Sequence, residues 1–292
     1  MNPLLAAWVC WAIVGLSPVM GKYAVGVISP VLLVFFGTLI GVLYFTPWIT
    51  KNHKWGELFA RETWARFLFI GTFGTALPFT ISLIALHYTT AGNAAILQQS
   101  ELLYSLLFAA IFLKEFPSKA QLAGSALIVL GVLIILVKEK YSVRWTGDLL
   151  IIGSTWMLQA GSTVAKKLPK QLDYRVIGMA RNLFALPTLI ILLPVLFYVQ
   201  GNFTLQPTVR LFAVLGYTGI LKYGLAMVVW YKAIRALDLS KVTAIYLSYP
   251  VLSLLISVLL GLEHPTFHQF IGLAVTCAGA YWVSFTVKKE GH

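Results

Sequence analysis

Apolar runs of about 20 residues alternate with short polar breaks along the whole of this 292-residue chain. Each run is close to the ~20 residues that an α-helix needs to cross a bilayer. Ten such spans are predicted, near 4–23, 31–49, 66–87, 91–112, 119–137, 147–165, 174–199, 209–232, 241–262 and 266–287. Ten spans of that length leave roughly 90 residues for all the loops. No loop is then large enough for a nucleotide-binding or catalytic domain. The first span is too long, and too poor in leading basic residues, to read as a cleaved signal peptide. Ser17-Pro18 is expected to bend it, because proline donates no N–H and crowds the preceding turn.

The pattern also repeats. Displaced by 148 positions, Glu115 falls on Glu263, Pro117 on Pro265, Gln121 on Gln269, Gly124 on Gly272 and Gly131 on Gly279. Across 85–132 against 233–280, 11 of 48 positions are identical without a gap. The matches carry weight because they include the punctuating Glu, Pro, Gln and Gly in one register. The chain thus divides into a first repeat, 1–140, and a second, 145–288. Internal repeats in a membrane chain point to a transporter with its substrate site between the halves.

Composition narrows the class further. The chain is 59% hydrophobic and 11% charged, with mean hydropathy +0.83. Soluble domains are about 25% charged, so a water-facing surface is excluded. The net charge of +12 reports orientation here rather than a nucleic-acid partner. With the N-terminus inside, 14 Lys and Arg lie near inner loops and 5 near outer loops, and Arg181, Lys222 and Lys232 fall within spans. That bias favours cytoplasmic termini. Five spans per half is an odd number, so the second half must run through the membrane inverted relative to the first. Cys10 and Cys277 both fall inside spans, as small packing residues rather than a disulfide framework.

The repeated segment reads AAILQQSELLYSLLFAAIFLKEFPSKAQLAGSALIVLGV from Ala94 to Val132. Its second copy reads VTAIYLSYPVLSLLISVLLGLEHPTFHQFIGLAVTCAGA from Val242 to Ala280. These segments resemble the EamA repeat of the drug/metabolite transporter superfamily in their small-residue fourth and ninth helices, loop Glu, Gln-x-x-Gly helix opening and later Gly. Trp11 and Trp156 add a weaker match. The resemblance implies an all-α membrane protein of ten transmembrane helices in two inverted five-helix repeats, set in the bacterial inner membrane. It implies a small-molecule substrate, lipid as the surrounding partner and no cofactor; homodimer and monomer both remain open. There are departures. Leu102 stands where the second copy has Pro250, and the arginine at Arg181 has only Gly37 near its place in the first half.

Several repeated residues read as scaffold. Glu115 and Glu263 lie at helix ends, each two residues before a proline that can open the next helix, which suits a capping or loop-fixing role. Gly124 with Gly131, and Gly272 with Gly279, are spaced to lie on one helix face and admit a close neighbour. His264 and His268 have metal-ligand spacing but no third ligand nearby, so a solvated loop is expected. Trp48, Trp55, Trp64 and Trp145 suit interfacial belts.

Charges at mid-membrane cost ~2.5–3.5 kcal/mol on insertion scales and call for a reason. Glu101 is expected about ten residues into the fourth span, or roughly 15 Å at ~1.5 Å per residue. Gln98, Tyr104 and Ser105 share its face. Many EamA members carry a Glu-Pro pair at this point. Lys222 is expected at similar depth in the eighth span, opposite Gly74 in repeat register. Arg181 lies near enough to the end of its span to snorkel, as does Lys232. Tyr246 and Tyr249 match Gln98 and Glu101 across the repeat. Trp8 and Trp11, with Trp156 and Gln159, occupy comparable places in the first and sixth spans. The candidate substrate-binding set is therefore Glu101, Gln98, Tyr104, Trp11, Gln159, Lys222, Tyr246 and Tyr249. Glu101 and Lys222 either pair structurally or line the transport path. There, burial penalises the charged form, and Glu101 becomes the candidate for proton coupling.

Two transport readings follow. The resemblance suggests alternating-access export of an amino acid or related metabolite, with coupling to protons through Glu101. A cationic or quaternary-ammonium substrate, held by Glu101 and a tyrosine cage through cation–π attraction, is the alternative. An intramembrane enzyme is disfavoured, since the chain has no H-E-x-x-H and no G-x-S-x-G. A channel would differ by lacking saturable counter-transport.

Overall fold

The named elements among the described residues are all helical; β-type pairing is limited to an isolated antiparallel bridge between Ile28 and Leu205. The computed structural model describes residues 1–85, 87–89, 94, 97–136, 144–200, 203–261 and 267–285. The helices are α1 (Pro3–Ala24), α2 (Pro30–Lys51), α3 (64–85), α4 (Ser100–Leu113), α5 (Lys119–Leu136), α6 (Trp145–Lys166), α7 (174–200), α8 (Val209–Ala236), α9 (Leu239–Leu259) and α10 (Phe267–Phe285). Among the described residues, α1, α2, α3, α7, α8 and α9 are long and apolar enough to cross a membrane, while α4 and α5 are shorter apolar helices. Large apolar side chains face outward, Leu103 at 67% and Phe212 at 70% exposure. In lipid such exposure carries no penalty. This is an all-helical, multi-pass membrane protein.

Where the helices break is chemically legible. α1 divides at Leu16, just ahead of Ser17-Pro18, as the sequence suggests. α9 divides at Ser248, ahead of Tyr249-Pro250. Pro250 offers no N–H and its ring crowds the carbonyl four residues back, while Ser248 Oγ donates to the Ile245 carbonyl at 2.7 Å. The matched place in α4 breaks too, despite Leu102. The Glu101 and Leu102 N–H groups donate to the Gln98 and Gln99 carbonyls at 3.0 and 3.1 Å, the tighter three-residue spacing. Glu101 therefore stands in the first turn of the described helix, not ten residues into a continuous one. Most of the expected start of that span lies outside the described residues.

α3 and α8 each carry a π-helical stretch, Thr72–Ala76 and Tyr217–Leu225. Shifted by 148, the first falls inside the second. π-bulges are rare and gather at functional sites.

Glycines set the closest approaches. A Cβ on Gly131 would lie 2.7 Å from the Gly272 carbonyl oxygen, and one on Gly279 would lie 2.7 Å from that of Gly124. In the repeat register Gly124 matches Gly272 and Gly131 matches Gly279, so each contact is the image of the other. A second reciprocal pair joins α3 to α7 and α2 to α8. A Cβ on Gly71 would meet Ala185 N at 2.7 Å, and one on Gly219 the Gly37 carbonyl at 3.2 Å. Here too Gly71 matches Gly219 and Gly37 matches Ala185.

Glu115 ties three helix ends together. Lys114 takes a left-handed backbone conformation, φ 56°, and turns the chain so that the Glu115 N–H donates to the Ala109 carbonyl at 2.9 Å. One carboxylate oxygen pairs with Lys166 Nζ at 2.5 Å. The other accepts the Leu239 N–H at 2.9 Å, at the start of α9. Lys166 Nζ also donates to the Leu237 carbonyl at 2.5 Å. The expected capping role is thus met, across helices. Ser118 Oγ rather than Pro117 satisfies the first turn of α5, accepting from the Gln121 N–H at 3.1 Å. Glu263, His264 and Pro265 lie outside the described residues. Glu115→Ala leaves the Leu239 N–H without its acceptor and removes the carboxylate that pairs with Lys166, at a cost of about 1–3 kcal/mol. Scanning fluorimetry in detergent should show a lowered unfolding midpoint, with Glu115→Gln between the two; an unmoved alanine variant would contradict the clasp.

Candidate functional site

A cavity of about 210 Å³ lies among α1, α3, α4, α6, α7, α8 and α9. The broken helices and the π-helical stretch of α8 aim side chains into it. Gln98 and Glu101 come from the break in α4, Tyr246 and Tyr249 flank the break in α9, and Lys222 projects from the π segment of α8.

Glu101 is 8% exposed, and its Oε1 accepts from Gln159 Nε2 at 2.7 Å. Gln159 is fully buried on α6. Lys222 Nζ sits 5.9 Å from the centroid of the Phe79 ring and 6.0 Å from that of Tyr223, a cation–π distance. Among the described residues no ion pair joins Glu101 to Lys222; both line the cavity. Tyr246 packs its ring 5.3 Å from Trp230 and 6.0 Å from Tyr249.

Arg181 departs from the sequence expectation. It does not snorkel but is 8% exposed and lines the cavity. Its Nε donates to Thr75 Oγ1 at 2.7 Å and its Nη2 to the Gly74 carbonyl, both in the π segment of α3. The next residue, Asn182, donates through Nδ2 to the Tyr223 carbonyl at 2.9 Å, in the π segment of α8. Adjacent side chains on α7 thus hold both matched π segments. Freed carbonyls in a non-α stretch need donors of this kind.

Of the eight expected site residues, Gln98, Glu101, Lys222, Tyr246 and Tyr249 line one cavity. Gln159 stands directly behind Glu101. Tyr104 lies elsewhere, half-buried with its ring 6.2 Å from Phe108. Trp11 lines a separate apolar groove between α1, α9 and α10, beside Trp8 at 5.2 Å. Trp156 is 38% exposed against Phe73 and Phe108. Sequence reasoning missed Arg181, Phe79, Tyr223 and Trp230 as lining residues. A charge inside a span was a usable signal for Arg181; the aromatic residues offered none that distinguished them from packing.

The arrangement offers a carboxylate and two cations to a bound molecule between aromatic walls. No group of three His, Cys, Asp or Glu suited to a metal occurs among the described residues.

A cavity that gathers charged and aromatic side chains from both parts of an all-helical, multi-pass membrane chain is the architecture of a transport protein. The family model for EamA-like transporters matches residues 2–137 and again 145–285. The chain belongs to this family. An uncharacterized transporter of Archaeoglobus fulgidus is 27% identical over 260 residues, 87% of each chain. A probable terminal-alkyne amino-acid exporter of Streptantibioticus cattleyicolor is 29% identical over 202 residues, 68% of this chain and 65% of that protein. A crystal structure with TM-score 0.80 at 18% identity covers 96% of this chain and 95% of its own, and shares the fold.

Proposed function

We propose that this protein is a secondary transporter that exports an amino acid or a closely related small metabolite by alternating access. Its ten helices cross the inner membrane as two inverted repeats, 1–140 and 145–288, with both termini cytoplasmic. The reciprocal glycine contacts support the inversion, since a two-fold relation makes each contact the image of another. The observation that carries the function is the cavity itself. Glu101 from one repeat and Lys222, Tyr246 and Tyr249 from the other converge where inverted-repeat transporters bind substrate. A carboxylate and a cation at one site suit the ammonium and carboxylate of an amino acid. The buried Glu101, bonded to a neutral amide and to no cation among the described residues, is the group we assign to proton coupling. Phe79 and Tyr223 already face the chain's own Lys222, which disfavours the quaternary-ammonium reading.

Counterflow in proteoliposomes tests this. Vesicles preloaded with a mixture of unlabelled amino acids should take up labelled ones saturably, and Lys222→Gln should reduce uptake by about tenfold, since removing a charge-assisted bond costs roughly 1.5–3 kcal/mol. Absence of saturable counterflow with every amino acid would overturn the proposal.

A further inference from the structure

The charges facing the cavity do not balance. Among its described lining residues, Glu101 is the carboxylate and Arg181 and Lys222 are the cations. The three are neutralised unequally. Glu101 receives an amide N–H, Arg181 is held by a hydroxyl and a carbonyl, and Lys222 rests over two aromatic rings. The two cations stand at matched π segments of the two halves, although both belong to the second half of the sequence. Lys222 belongs to the π segment of α8. A Cβ added at its repeat partner, Gly74, would lie 3.9 Å from Arg181 Nε. α7 therefore supplies, beside the first π segment, the positive charge that the first half lacks in its own sequence.

A second observation points the same way. Trp230 is 5% exposed and lines the cavity, and its Nε1–H has no acceptor among the described residues. A buried donor without an acceptor is costly, and a bound anion's oxygen would satisfy it. Two surplus attractions for negative charge thus face one carboxylate.

We propose that this site selects a substrate of net charge −1: a small carboxylate with an apolar or aromatic body, carrying at least one more acidic than basic group. Arg181, Lys222 and Trp230 are the specificity-determining residues for its anionic oxygens. An acidic or N-acylated amino acid fits this description; a free neutral amino acid satisfies only part of the site, and an organic cation meets net repulsion. This refines the exporter reading above and rests on the same cavity.

The test uses three probes that share one body and differ in charge: N-acetylphenylalanine (−1), phenylalanine (zwitterion) and phenylalanine amide (+1). Binding to the purified full chain in detergent is read by scanning fluorimetry and by calorimetric titration. The anion should bind at least tenfold more tightly than the zwitterion, and the amide should not bind measurably. Trp230→Phe, which keeps the ring and removes only the N–H, should weaken the anion several-fold and leave the zwitterion less affected. Arg181→Lys keeps the charge and should retain the order of preference, whereas Lys222→Gln should erase it. Equal or tighter binding of phenylalanine or of the amide, or no binding of any probe, overturns the anion preference. In those cases saturable counterflow of amino acids would leave the exporter reading standing, and its absence would remove that as well.

Discussion

Glu101→Gln is expected to lower proton-driven flux by at least tenfold and to flatten its dependence on pH, with the fold retained. Glutamine is nearly isosteric, and its amide oxygen can still accept from Gln159 Nε2, which lies 2.7 Å from Glu101 Oε1. Stability should therefore change by no more than about 1 kcal/mol, the net worth of an ordinary hydrogen bond. What glutamine cannot do is gain and lose a proton. Nor can it meet a substrate ammonium with a full charge, an interaction of roughly 1.5–3 kcal/mol, where ~1.4 kcal/mol is a factor of ten. Flux into proteoliposomes should be measured at several imposed pH gradients, with melting curves on the same preparation. Full flux with an unchanged pH profile in a folded variant would remove Glu101 from the mechanism.

Gly131→Leu should have the largest structural effect. Even a Cβ at this position would meet the Gly272 carbonyl oxygen at 2.7 Å, and backbone cannot rotate aside as a side chain can. The branched remainder of leucine would have to enter the same seam. Overpacking of this kind costs about 1–3 kcal/mol where neighbours can shift, and more where they cannot. The expected result is loss of a monodisperse peak in size-exclusion chromatography. Gly153→Ala is the matched control, because nothing lies within 4 Å of a Cβ there; it should elute as the parent does. Normal elution and melting of the leucine variant would mean that α5 and α10 do not pack as closely as described.

The scaffold was more legible in the sequence than the site. Apolar periodicity and the 148-residue register were enough to place the helices and to mark Gly124, Gly131, Gly272 and Gly279 as packing residues, since small residues at fixed spacing have few other uses in lipid. Glu115 was read as a cap, but a loop residue's partner in another helix leaves no trace in local spacing, and Lys166 and Leu239 went unnoticed. Helix continuity proved the weaker inference. Counting residues from the start of a span assumed an unbroken helix, and the break at Gln98–Gln99 moved Glu101 to a helix start. The same counting put Arg181 near the surface, although α7 packs against both π segments. Tyr104 was assigned to the face of Glu101 by spacing, and both do lie in the same regular helix after the break, but the cavity closes before Tyr104, one turn further on, and is not lined by it.

The π segment of α8 has a consequence for how this protein can vary. Such a stretch holds one residue more than an α-helical ladder needs. Loss of a single codon within 217–225 could be absorbed by reverting to α-helix, with the rest of the helix intact. The flanking turns would keep their faces, because the regained α-helix takes up the loss; only side chains inside the segment would shift, by up to about 100° per residue of register. Lys222 would leave the cavity and a neighbour would take its place. Changes in length, rather than changes in residue identity, are thus a short route by which relatives of this chain can exchange the charge presented to a substrate.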